Sequence, residues 1–272
     1  MAIYLGSTFA TYNYYANNSA KALEVQAADG QTKTETAYYE ANIGKVKTVD
    51  DLVSNYRLFN YAMTAYGLSD MVYAKAFMTK VLTSDTTDKT SFANKLADNR
   101  FTNFAKAFAN LNTDSATTTD TTASSGSTDT SATTTTGAST ETVVNAYLQQ
   151  SMETELGQSD QGVQLALYFK RNAASVSSAY GLLGDSAMWK VISTVYGLPA
   201  SLGSMDTDTQ KSVVESKMDI TDLQDSTKVD KLLQRFTAIW DATENVGTDP
   251  ILTLFGGGSS NSSADGTLAL FL

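Results

Sequence analysis

Two stretches of this chain repeat one order of large, small and polar side chains. Arg57 to Leu68 reads Arg-Leu-Phe-Asn-Tyr-Ala-Met-Thr-Ala-Tyr-Gly-Leu, and Ala187 to Leu198 reads Ala-Met-Trp-Lys-Val-Ile-Ser-Thr-Val-Tyr-Gly-Leu. Leu58 stands against Met188, Phe59 against Trp189 and Ala62 against Ile192, and Tyr-Gly-Leu closes both. Internal repetition reveals the building block before any motif does, and the block here is a helical packing unit of about sixty residues used twice. The expectation is an all-α, multi-helical protein with two lobes built on that unit. Phe59 and Trp189, at equivalent positions, are both expected in the core.

The absences in the composition narrow the chemistry. The 272 residues include no Cys and no His. That removes disulfides, thiolate nucleophiles, imidazole or thiolate metal ligands and the commonest general base. Only carboxylate sites for Mg²⁺ or Ca²⁺ are left. A formal net charge of −10 argues against nucleic acid, whose phosphates require clustered Lys and Arg. The two prolines, Pro199 and Pro250, leave long stretches free to be helical. No run approaches the roughly 20 apolar residues of a membrane span. Met1-Ala2-Ile3-Tyr4-Leu5 lacks the basic start of a signal peptide. The expected location is therefore the cytoplasm, or a site reached by export without a cleaved signal.

Helix signals run along most of the chain. Residues 8–42 read as helix with a break at Asp29-Gly30. Thr48 with Asp50 and Asp51 starts another, carrying Leu52, Tyr56, Phe59 and Met63 on one face. Gly67 and Gly197 suit left-handed helix ends. Val72, Ala76, Met78 and Leu82 are expected to point inward from the next helix. Leu96-Ala97-Asp98, Leu183-Gly184-Asp185 and Leu223-Gln224-Asp225 use one start device, in which Asp caps and Leu reaches back to the core. Glu141 to Leu156 reads as a helix with Val144, Tyr147, Leu148, Met152 and Leu156 on one side. A polar turn from Gly157 to Gly162 then leads into a strongly apolar helix. Residues 112–140, dominated by Ser and Thr, cannot bury enough surface to offset their ordering entropy. They read as a disordered linker between a lobe at 1–111 and a lobe at 141–255, with a flexible tail at 256–272.

Asp206-Thr207-Asp208 is compatible with a calcium loop or a helix cap, but glycine is absent at the turn position, which favours the cap. The acids from Asp219 to Asp225 read as a solvated helix junction, with a metal site as the alternative. Arg57, Arg100, Arg171 and Arg235 read as amphipathic stems with their charges in water. Arg171 has a second option, pairing with Asp185. Two apolar segments exceed what a helical core requires. One holds Tyr4, Phe9, Tyr12, Tyr14 and Tyr15; the other holds Leu268, Leu270, Phe271 and Leu272. Both are candidate partner-binding segments, since tyrosine is favoured at interfaces. Packing on the protein's own lobes is the alternative.

Three phrases point to a family. Gly162-Val163-Gln164-Leu165-Ala166-Leu167-Tyr168-Phe169, Ser178-Ala179-Tyr180-Gly181-Leu182-Leu183-Gly184-Asp185 and Phe92-Ala93-Asn94-Lys95-Leu96-Ala97-Asp98 resemble the DUF1217 family of alphaproteobacteria. The resemblance covers nearly the whole chain outside the Ser/Thr-rich segment. It implies a multi-helical fold, and a flagellar role by association, because genes of the family often lie in flagellar clusters. It implies no catalytic residue. The expected function is a non-enzymatic, flagellum-associated accessory or structural protein that acts through contacts with flagellar proteins. A cytoplasmic export adaptor or assembly regulator is the alternative, and a carboxylate- and metal-dependent enzyme the third. No catalytic, cofactor or metal residue is assigned, and no cofactor is expected.

Overall fold

The computed structural model describes residues 3–96, 98–112 and 137–244. Among them the chain forms α-helices and short 3-10 turns, with no strand. The first part holds α1 (Thr8–Asn17), α2 (Ser19–Ala28), α3 (Gly30–Ile43), α4 (Val49–Ser54), α5 (Tyr56–Ala65), α6 (Lys75–Leu82), α7 (Phe92–Lys95) and α8 (Asn99–Ala107). The second holds α9 (Thr140–Ser159), α10 (Gln161–Asn172), α11 (Ala179–Gly184), α12 (Ser186–Tyr196), α13 (Thr207–Lys217) and α14 (Ser226–Thr243).

Short polar side chains set where these helices begin. Thr48 forms a reciprocal capping box with Asp51 at α4. Asp98, Asp206 and Asp225 cap α8, α13 and α14 by accepting first-turn N–H groups. Asp206, Asp219 and Asp225 are thus engaged at helix and turn starts, and Asp222 pairs with Lys228. At Asp29, Asn55, Asp160 and Asp185 a single residue with extended ψ separates two helices, and its side chain caps the second. Such a residue breaks the backbone ladder and satisfies the donors it frees.

These one-residue hinges change two expectations. The helix read from Thr48 onward is broken at Asn55, which turns Tyr56 outward to 61% exposure, whereas Leu52, Phe59 and Met63 are buried. The polar turn expected from Gly157 to Gly162 shrinks to Asp160 alone. Residues 8–42 carry a further break at Asn18. In α6, Met78 and Leu82 are buried, but Ala76 faces solvent.

Two apolar cores result. The first gathers Tyr39, Leu52, Phe59, Met63, Leu82 and Phe104, and takes in Val143, Val144 and Leu148 of α9. The second gathers Val163, Phe169, Leu182, Ile192, Leu233 and Phe236, and takes in Tyr12 and Tyr15 of α1. The cores therefore do not divide at residues 111 and 141. The start of α9 packs on the first core, while its Met152 and Leu156 pack on the second. A helix of 20 residues is about 30 Å long, enough to serve both. Of the segment expected as a linker, residues 113–136 lie outside the described residues. Ala138 and Ser139 belong to the fold: Ala138 N–H donates to Ala107 C=O at 2.7 Å, and Ser139 caps α9. The expected tail at 256–272 also lies outside them.

The paired stretches that opened the sequence reading both become helices with the same ending. Gly67 and Gly197 have φ of 68° and 60°. The N–H groups of Gly67 and Leu68 donate to Thr64 and Met63, and those of Gly197 and Leu198 to Thr194 and Ser193. That is the Schellman arrangement, which favours glycine at the left-handed position. The aromatic positions differ. Phe59 is fully buried, whereas Trp189 is only partly buried at the edge of the second core.

Three of the four arginines are more engaged than free amphipathic stems, whereas Arg235 stays exposed. Arg171 forms a two-pronged pair with Glu153 (2.7 and 3.0 Å) and donates to Gln150. It does not pair with Asp185, which caps α12 and accepts from the Tyr168 hydroxyl. Arg100 pairs with Asp98 and donates to the Gly67 carbonyl at 2.6 Å. Arg57 pairs with Glu35 and lies over the Tyr38 ring.

Candidate interaction surface

The aromatic start of the chain splits into an anchoring face and an exposed face. Asp241, near the end of α14, sits at the N-terminus of α1. Its carboxylate accepts from Thr8 N–H (2.7 Å), Phe9 N–H (3.0 Å) and the Ser7 hydroxyl (3.0 Å). A carboxylate there is favoured by the unsatisfied donors and the helix dipole. Thr8 donates to Asp160, the residue that caps α10. Thr8, Tyr12 and Tyr15 follow one another at spacings of four and three, so they share the face that meets α10 and α14. The segment before α1 folds back over it, with Ile3 N–H donating to the Tyr15 hydroxyl and Leu5 N–H to the Thr11 hydroxyl. Tyr4 is half-buried, and burial together with Asp160 and Asp241 pushes its hydroxyl pKa up to about 12.

Five candidate residues of this segment are thereby sorted. Tyr12 and Tyr15 are core residues, so the packing alternative applies to them. Phe9 and Tyr14 are 43% and 39% exposed. Sequence reasoning missed Ile3, Leu5 and Val25, which are also exposed. Five of the ten large hydrophobic side chains exposed among the described residues thus fall within residues 3–25. Ile3, Tyr14 and Val25 border one shallow groove with Lys21 and Met152. The missed residues carry no helical periodicity of their own; their exposure follows from how α1 docks. Leu268, Leu270, Phe271 and Leu272 lie outside the described residues.

Among the described residues, no group of three or more acidic side chains is placed to hold a metal ion. No helix among them is long and apolar enough to cross a membrane.

The model of the DUF1217 family, described as a protein of unknown function, matches residues 65–229. That span runs from the end of α5 into α14. The crystal structure of an Agrobacterium tumefaciens protein, solved by a structural genomics consortium, is similar over 90% of this chain and 97% of its own, with 36% sequence identity and a TM-score of 0.72. The chain belongs to the DUF1217 family. No curated protein matches it. The family model begins after α1, so the exposed residues of the N-terminal segment lie outside the matched region.

Proposed function

We propose that this DUF1217 protein is a non-enzymatic accessory or structural component that acts through protein–protein contact, with flagellar proteins as its partners. One observation carries the contact reading. The N-terminal segment concentrates exposed Ile3, Leu5, Phe9 and Tyr14, of which Ile3 and Tyr14 line a groove with Val25, while Asp241 and Asp160 hold it on the second core. Contiguous exposed apolar surface marks interaction sites, and a rigid support lowers the entropy lost on binding. The formal charge of −10 favours a protein partner over nucleic acid. The flagellar assignment rests on the family's gene neighbourhood. Two apolar cores joined by α9, each with a Tyr-Gly-Leu helix end, suit a scaffold.

The test is a double substitution, Phe9→Ser with Tyr14→Ser, in motile cells. Both side chains are exposed, so the thermal midpoint is expected to stay at the wild-type value while swimming is impaired. Normal swimming by the stable variant would refute the surface. Recovery of the protein in sheared filaments or basal bodies supports a structural component; recovery only in the cytoplasm supports an export adaptor or assembly regulator.

A further inference from the structure

Helices α8 and α14 begin alike and differ in the side chains that follow. Asp98 and Asp225 cap α8 and α14 alike, each with a leucine two residues before it. The third, sixth and tenth residues after these caps are Phe101, Phe104 and Phe108 in the first core, and Lys228, Lys231 and Arg235 in the second. In the first core, Phe104 and Phe108 lie edge-on against Tyr66, at 5.6 and 6.3 Å between ring centres. Tyr66 directly precedes left-handed Gly67, as Tyr196 precedes Gly197. In the second core Arg235 is exposed, with its guanidinium 6.0 Å from the Tyr196 ring, and the buried apolar side chains of α14, Val229, Leu233 and Phe236, occupy other places.

Beside Tyr196 lies a groove of about 300 Å³, floored by Met218, Leu223 and Val229 and rimmed by Asp222, Lys228, Lys231 and Arg235. Lys228 is paired with Asp222. Lys231 and Arg235 take part in none of the ion pairs among the described residues. With Asp222 engaged by Lys228, an apolar floor beside a tyrosine, under two cations outside those ion pairs, fits an aromatic side chain that arrives with a carboxylate.

We propose that a second copy of this chain supplies both. Tyr73 is 79% exposed, the most exposed large hydrophobic side chain among the described residues. Asp70, three positions earlier on the same exposed turn, carries the matching charge. Knob and groove are different surfaces, so the contact is heterologous. Each pair of copies keeps one unused knob and one unused groove, and assembly continues head to tail into a ring or a filament. The N-terminal surface takes no part, so this self-association stands or falls separately from the function proposed above.

Sedimentation of the full chain across a concentration series tests it. The wild type is expected to rise above the mass of one chain with concentration, and to fall back in high salt, which screens the rim. Tyr73→Ser and Arg235→Glu, both at exposed positions, should each keep the wild-type melting midpoint and associate at least about tenfold more weakly. An equimolar mixture of the two retains one intact knob and one intact groove. It should form two-chain species and nothing larger. Single-chain mass for the wild type throughout, or for the mixture, overturns the proposal, as does growth of the mixture beyond two chains. Loss of association in Phe9→Ser with retention in Tyr73→Ser overturns it too, by moving the contact to the N-terminal surface.

Discussion

Arg171→Met should be among the most damaging single changes in the molecule, and its cost should depend on pH. Arg171, near the end of α10, meets Glu153 of α9 with two hydrogen bonds of 2.7 and 3.0 Å. The Glu153 side chain is 4% exposed. Removing one partner of a buried pair costs roughly 3–5 kcal/mol, because the other charge is left without compensation. Burial already pushes the Glu153 carboxyl above its usual range, and Arg171 pulls it back only in part. A carboxyl raised in the folded state supports folding fully below its unfolded value of about 4.3, and that support is lost as pH rises through the folded value. Without Arg171 the folded value climbs further. The deficit of Arg171→Met should therefore be small near pH ~4.5 and approach about 3–5 kcal/mol near pH ~7.5. Urea unfolding at both pH values measures it, with unchanged slopes showing that only stability has moved. Adding Glu153→Leu should restore most of the loss at the higher pH, since an apolar pair of similar volume is close to neutral. A deficit below about 1 kcal/mol, a deficit equal at both pH values, or a double variant worse than the single would refute the reasoning.

Three further outcomes follow from the packing. Phe59→Ala should cost about 3–5 kcal/mol in chemical unfolding, because its ring is fully buried; Trp189→Ala, at a half-buried edge, should cost clearly less, and equal costs would contradict the difference in burial. Gly162→Ala should lower the thermal midpoint sharply, since its Cβ would meet the Trp240 ring at 2.4 Å; the double variant Gly162→Ala with Trp240→Leu should recover part of the loss. Gly197→Ala places a side chain at φ of 60° and should cost about 1–2 kcal/mol by strain, although nothing lies within 4 Å of the added Cβ; a neutral effect in the same assay would reject the left-handed cap.

Much of the local structure was legible in the sequence because its causes are local. Ser, Thr, Asp and Asn before apolar runs marked helix starts, as at Thr48, Asp98 and Asp225. Glycine after tyrosine marked helix ends, as at Gly67 and Gly197. Periodicity placed Leu52, Phe59 and Met63 in a core. It misplaced Tyr56 because Asn55, a single residue, rotates the face that follows it, and no pattern of apolar spacing signals that rotation.

What the chain does with these helices was decided by tertiary structure. Paired stretches and helix signals pointed to an all-α protein, and composition removed thiol and imidazole chemistry, without any coordinates. Which of the N-terminal aromatics are core and which are surface depended on Asp241 and Asp160, 233 and 152 residues from Thr8, holding α1 against the second core. The same holds for Arg171, whose partner is Glu153 because α9 and α10 fold back around Asp160. Helix caps and periodicity are set within one or two turns of chain. Burial, ion pairing and the shape of a surface are set by segments that meet only after folding, and a linear pattern does not record their meeting.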